Sequence, residues 1–207
     1  MKSPHGINYQ INLKNIFTLR TVEDALAIKE AALKYKHVTI IGGGYIGIEL
    51  LEAFVNRGLD VTIIESSPVI MPIFDDDMSQ IITDYIFENR PTGIEIITSD
   101  YVTEFYGNEY VEGFKTAAMR DIKTDFVVIS AGVRPNVELA SSCGITLGPT
   151  GAIKVNEKMQ TNFPDIYAAG DCAEKFHIIA RVHVWLPLAS TAIKEGRCAA
   201  LTKTASV

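Results

Sequence analysis

The chain has 207 residues, 47% of them hydrophobic and 21% charged, the make-up of an ordinary globular protein with enough length for a substantial core. Its net charge of -6 supplies no basic field, which argues against a nucleic-acid or anionic-membrane partner and requires any phosphate site to be local. The opening MKSPHGINYQINLKN lacks the apolar core of a signal peptide, and no run approaches the ~18 apolar residues of a membrane span, so a cytoplasmic location is expected.

The first predicted element is the helix in TVEDALAIKEAALKYK. Thr21 and Asp24 have the spacing of a capping box, Ala25, Ile28, Ala32 and Tyr35 recur at helical period, and Glu30 and Lys34 are spaced to pair on the outer face. The apolar run Val38 to Ile41 then reads as a strand buried on both faces of a parallel sheet. A second helix is expected to bury Ile46, Leu50, Ala53 and Phe54 and to stop at Gly58, and DVTIIE makes the next strand. Strand, glycine turn, helix and strand form one right-handed βαβ unit of the doubly wound class.

A third helix is predicted over Asp76 to Asn89, with Met78, Ile81, Ile82, Tyr85 and Ile86 inward, followed by a strand over Ile94 to Thr98. Strand-like residues broken by GNE between Tyr101 and Phe114 predict a small antiparallel hairpin or meander, after which DFVVISAG returns to a buried strand. From Cys143 the chain becomes turn-rich, which places a domain boundary near residue 140. DIYAAGD reads as a short buried strand, and PLASTAIKEGRCAAL as a closing helix.

Glycine within regular structure costs roughly 0.5–1 kcal/mol relative to alanine, so a cluster of glycines needs a backbone reason. Gly42, Gly44 and Gly47 form G-x-G-x-x-G between a predicted strand and a predicted helix, the context a dinucleotide fingerprint requires. Gly42 permits the turn, Gly44 lets a pyrophosphate approach, and Gly47 allows the helix close to the strand; Gly43, Tyr45 and Ile46 complete the anion-binding turn, whose free amides and helix dipole face the phosphates. Glu65 closes the next strand about 20 residues on, where an acidic side chain accepts from an adenosine ribose and repels a 2'-phosphate. NADH is therefore favoured over NADPH.

The three cysteines, Cys143, Cys172 and Cys198, lack any C-x-x-C or zinc spacing and read as reduced thiols. Asp75 to Asp77 precede a helix and suit capping rather than a metal. His5, His37, His177 and His183 share no ligand spacing, and no hydrolase motif occurs.

With SAGVRPNVEL, TNFPDIYAAGDCAE and WLPLASTAIKEGR added to the glycine turn, the sequence resembles the FAD-dependent pyridine nucleotide-disulfide oxidoreductases over nearly all of its length. WLPLA together with FTLRTVEDA narrows the resemblance to the branch of coenzyme A disulfide reductases, NADH oxidases and NADH peroxidases.

The resemblance implies a Rossmann-like doubly wound α/β fold with a small antiparallel meander. It divides the chain into a residual FAD-domain lead-in (1–18), an NAD(H)-binding domain (19–140) and the C-terminal part of an FAD-binding domain (141–207). Tyr45 would be a movable aromatic gate over the nicotinamide, and Glu49, on the same helix face, would lie near nicotinamide and flavin. Gly132 would line the nicotinamide cleft, with Arg134 serving either that cleft or an interdomain salt bridge. Asp171 would bond the FAD ribityl chain, and the helix starting at Leu188 and Ala189 would point its N-terminus at the flavin ring.

The family's opening FAD fingerprint, redox cysteine and dimerisation domain are not matched in this sequence, and Cys172 does not take the redox position. The expectation is therefore a fragment that binds NAD(H), drawn from a homodimeric parent that also carries FAD. That parent would pass hydride from NADH to FAD and onward to a disulfide, peroxide or dioxygen. A reductase serving ferredoxin, rubredoxin or nitrite reduction, and a non-catalytic nucleotide-binding module, are the alternatives.

Overall fold

A computed structural model describes residues 13–89 and 92–204; residues 1–12 of the expected lead-in lie outside the described residues. The chain divides into two compact units, Met1–Val133 and Arg134–Val207, a division that falls ahead of the expected residue 140.

The first unit is built on a five-stranded parallel sheet. Its strands are β1 (Ile16–Thr18), β2 (His37–Ile41), β3 (Asp60–Ile64), β4 (Ile94–Ile97) and β8 (Phe126–Ile129), in the order β1-β8-β2-β3-β4. Residues 16–18, read from the sequence as part of a lead-in, thus form an edge strand of this sheet against Val127–Ile129.

Side chains alternate across the sheet with period two. Val38, Ile40, Val61, Ile63, Phe126 and Val128 face one core, shared with helices α1 (Val22–Lys34) and α2 (Tyr45–Val55). Ile41, Ile64, Val127 and Ile129 face a second core, with Val102, Val111 and Phe114 from the antiparallel meander β5 (Val102–Gly107), β6 (Val111–Thr116) and β7 (Asp121–Lys123). Both faces being covered explains why the central strands read as unbroken apolar runs.

The capping box forms as its spacing predicts: Thr21 Oγ1 accepts from the Asp24 amide and Asp24 Oδ2 accepts from the Thr21 amide. The Lys34 ammonium lies over the Tyr35 ring at 4.9 Å and the Tyr110 ring at 5.9 Å, a cation–π arrangement in place of the expected partnership with Glu30. Helix α2 ends at Val55 with Asn56 as its cap, and the turn that follows closes at Gly58, whose φ of +77° is the left-handed conformation its residue type allows.

Three expectations are corrected. In α2, Leu51 is buried and Ala53 is exposed. In α3 (Asp76–Asn89), Met78, Ile81 and Tyr85 are exposed by 48%, 59% and 65%, while Ser79, Ile82, Thr83 and Ile86 turn inward. Both sets keep helical spacing about one residue apart, so spacing alone does not choose between them. Ser79 Oγ donates to the Met71 carbonyl outside the helix, which fastens this side of α3 to the segment before it, while Thr83 Oγ1 bonds back within the helix to the Ser79 carbonyl.

The third correction lies in the second unit, where DIYAAGD is not a strand. Tyr167 makes a single bridge to Gln160, and the chain then tightens into a 3-10 turn over Gly170–Cys172 at a Gly170 φ of +79°. Around this turn the unit holds α4 (Glu138–Ser142), a hairpin of β9 (Lys175–His177) and β10 (Val182–Val184), and α5 (Ala189–Thr204).

Candidate functional site

In the first unit, the glycine turn leaves the C-terminal end of β2 and opens α2, and the end of β8 lies beside it. Because the chain leaves β2 toward β3 on one side while β8 flanks it on the other, this is a switch point, where open α/β sheets form crevices.

Each glycine has a distinct geometric reason. Gly42 sits at φ +107°, and a Cβ there would stand 2.6 Å from the Ser130 carbonyl oxygen. A Cβ on Gly47 would stand 2.0 Å from the Gly42 carbonyl oxygen, so α2 reaches the turn only because that side chain is missing. A Cβ on Gly44 would meet nothing within 4 Å. The space before Gly44 is open, as a site for an approaching ligand requires.

Not all the amides expected to be free are free. The Gly42 amide donates to the Ile64 carbonyl at 2.8 Å, extending the sheet ladder, and the Gly43 amide donates to Glu65 Oε2 at 2.7 Å. The anion-binding capacity lies one step further along. Gly44 caps α2 without any side-chain hydrogen bond, and among the described residues no acceptor is bonded to the amides of Tyr45, Ile46 or Gly47. Such a helix start binds anions through its amides and the positive end of its dipole.

Glu65 is only 7% exposed. Oε2 holds Gly43, while Oε1 accepts from the Ser67 amide at 2.7 Å and the Ser66 hydroxyl at 3.2 Å. This charge is fixed in place beside the turn.

Two further residues of the site were not singled out from the sequence. Ser130 Oγ donates to the Ile41 and Gly42 carbonyls at 3.1 and 2.9 Å, fastening β8 to the turn; Gly132 follows at φ +86° with open space at its Cβ position. Phe74 meets Tyr45 edge to face, with ring centroids 6.1 Å apart. Tyr45 and Glu49 are both exposed, one turn apart on α2.

In the second unit, Asp171 sits exposed within the 3-10 turn. Trp185 Nε1 donates to the Asp171 carbonyl at 2.8 Å, and the Gly170 amide donates to buried Glu195 Oε2 at 2.8 Å. Lys175 Nζ lies 2.9 Å from Glu195 Oε1 and donates to the Leu186 carbonyl at 3.0 Å. The Leu188 carbonyl accepts from the Thr191 and Ala192 amides, opening α5, whose first turn carries no acidic residue.

Cys143, Cys172 and Cys198 are free thiols. Among the described residues no group of three or more His, Cys, Asp or Glu is placed to hold a metal, and no helix is long and apolar enough to cross a membrane.

Against known proteins, residues 3–196 match the model of a family described as pyridine nucleotide-disulphide oxidoreductase. The NAD(P)H coenzyme A polysulfide/persulfide reductase of Pyrococcus horikoshii is 42% identical over 189 residues, which are 90% of this chain and 41% of that protein. Among solved structures, an NAD-dependent persulfide reductase from A. fulgidus superposes with a TM-score of 0.90 at 30% identity, over 98% of this chain and 37% of that one. The water-forming NADH oxidase of Lactobacillus brevis, bound to NADH, gives a TM-score of 0.83 at 30% identity, over 92% and 41%. The chain thus spans about two-fifths of the length of the curated relatives it matches. The glycine turn, the fold that carries it and the family match agree: the chain belongs to the pyridine nucleotide-disulphide oxidoreductases.

Proposed function

We propose that the chain supplies the NAD(H) site and the closing part of an FAD site to an NAD(P)H-dependent flavoprotein oxidoreductase. The observation that carries this reading is the uncapped start of α2 at Gly44, with open space before it and the fixed Glu65 carboxylate alongside. The amides of Tyr45, Ile46 and Gly47 bind the diphosphate, Gly132 lines the nicotinamide end, and Tyr45 covers that end with Glu49 one turn behind.

NADH is preferred over NADPH. Glu65 is tied by three donors and cannot withdraw, so a 2'-phosphate would be brought against a buried negative charge.

The second unit fits a flavin. Asp171 presents an exposed carboxylate on a turn pinned by Trp185 and Glu195, suited to accept from hydroxyls of a ribityl chain. The start of α5 at Leu188 and Ala189, free of acidic residues in its first turn, suits electron-rich ring atoms. Asp171, Leu188 and Ala189 are the residues that would hold FAD here, and the bound flavin would supply a hydride acceptor and an electron donor toward a disulfide, a peroxide or dioxygen through a cysteine centre other than Cys143, Cys172 and Cys198. The whole protein is a cytoplasmic homodimer in this reading.

Calorimetric titration of the chain with NADH and with NADPH tests it. NADH is expected to bind at least about tenfold more tightly, a difference near 1.4 kcal/mol. Absence of heat from both nucleotides overturns the nucleotide site, and a preference for NADPH overturns the role of Glu65.

A further inference from the structure

The segment between Glu65 and α3 carries Phe74, and its anchoring singles it out. Met71 donates its amide to the Gly43 carbonyl at 2.7 Å, in the middle of the glycine turn. Met71 holds φ at +51°, a left-handed conformation unusual for a residue with a side chain. Its carbonyl accepts from the Phe74 amide at 3.0 Å and from Ser79 Oγ at 3.2 Å, which closes a turn over Met71–Phe74 with Pro72 stiffening it. Ile70 packs where a Cβ on Gly43 would stand, 3.0 Å from its Cγ2. The segment is therefore bolted to the phosphate turn at two adjacent residues.

What the bolted segment delivers is the Phe74 ring. It meets Tyr45, only two residues beyond Gly43, at an interplanar angle of 88°. Both rings are 41% exposed, so this contact is not part of the interior packing. An exposed aromatic pair held by a strained, doubly anchored turn serves orientation rather than core stability.

We infer that Phe74 is a positioning residue for Tyr45, giving the movable ring one defined seat from which it covers the nicotinamide end of the dinucleotide. The inference rests on the reading above, in which Tyr45 covers the nicotinamide. Without Phe74 the Tyr45 side chain regains its rotamer freedom and must be ordered anew at each binding event. The cost falls on ligands that carry nicotinamide and spares those that end at the second ribose.

The test is calorimetric titration of the wild-type chain and of Phe74→Ala with NADH and with ADP-ribose, which retains the diphosphate but lacks nicotinamide. Phe74→Ala is expected to weaken NADH about three- to tenfold and to change ADP-ribose by less than twofold. Phe74→Tyr restores the NADH affinity, and in a Tyr45→Ala background Phe74→Ala has no further effect.

Wild-type chain that binds neither ligand sinks the nucleotide site itself, and the inference with it. If the wild type binds both, the inference alone is overturned by either of two results: Phe74→Ala binding NADH as tightly as wild type or more tightly, or losing NADH and ADP-ribose equally. Equal loss would mean that the segment merely supports the turn.

Discussion

The amide of Gly43 donates to the carboxylate of Glu65 across 2.7 Å, joining the turn after one strand to the end of the next. The residue proposed to read a ribose thus also braces the turn proposed to face the diphosphate. On the reading proposed above, nucleotide choice and loop shape would both depend on one buried charge.

Replacing that charge separates the two roles. Glu65→Ala orphans the buried Gly43 donor and the Ser67 donor, and should cost about 1–3 kcal/mol of stability. Glu65→Gln keeps one acceptor and should cost less, yet it removes the negative charge. The ratio of NADPH to NADH dissociation constants should therefore fall by about tenfold in Glu65→Gln, read by titration with each nucleotide.

Gly44 and Gly47 differ by the same logic. Gly47→Ala drives a methyl to 2.0 Å from the Gly42 carbonyl oxygen and should lower stability by about 1–3 kcal/mol, since backbone must shift to relieve it. Gly44 has φ -80° and an open Cβ position, so Gly44→Ala should fold with a nearly unchanged melting temperature. Its methyl occupies the approach to the α2 amides, and NADH affinity should drop by tenfold or more. Equal melting losses in the two variants would refute the distinction.

These contrasts show what the sequence made legible. The glycine roles follow from φ and from steric exclusion around G-x-G-x-x-G, and both can be argued from spacing once a strand and a helix flank the motif. The α3 face was legible only in part: Ile82 and Ile86 turn inward as expected, but Met78, Ile81 and Tyr85 keep the same period as 79, 82 and 86 and are exposed. Ser79, bonded to the Met71 carbonyl outside the helix, holds a polar residue on the inward side, which hydrophobic periodicity does not count. The brace between Glu65 and Gly43, the seating of Met71 on the same glycine, and the Phe74–Tyr45 pair all join residues far apart in the chain. No local pattern announces such contacts.

Asp100 supplies a pH-dependent fastening within the meander. Burial pushes its carboxyl up, but hydrogen bonds from Thr116, Ala118 and Tyr101 together with the Arg120 charge outweigh burial and hold it below the usual carboxylate value. A group depressed in the folded state contributes stability that is complete above its unfolded value, near ~3.9, and that is lost as pH falls through the lower folded one. Thermal melting of wild type should thus fall more steeply between about pH 4.5 and pH 2 than melting of Asp100→Asn. Parallel curves across that window would show that Asp100 carries no linkage.

In the second unit the buried Lys175–Glu195 pair governs the Asp171 turn. Glu195 and Lys175 side chains are 8% and 12% exposed, and their 2.9 Å approach is ionic, lying outside hydrogen-bond geometry at Glu195 Oε1. The other carboxylate oxygen holds the Gly170 amide, next to Asp171. Glu195→Ala would leave a buried ammonium facing the Leu186 carbonyl without its counter-charge, as well as an orphaned amide, and should cost about 3–5 kcal/mol. The double variant Lys175→Met, Glu195→Gln removes both charges and keeps an acceptor for Gly170, so it should recover most of that loss. Urea unfolding of the second unit followed through Trp185, which bonds the Asp171 carbonyl, reads both. If the double variant is no more stable than Glu195→Ala, the uncompensated ammonium is not what destabilises the single variant, and the Gly170 amide alone does not set the turn.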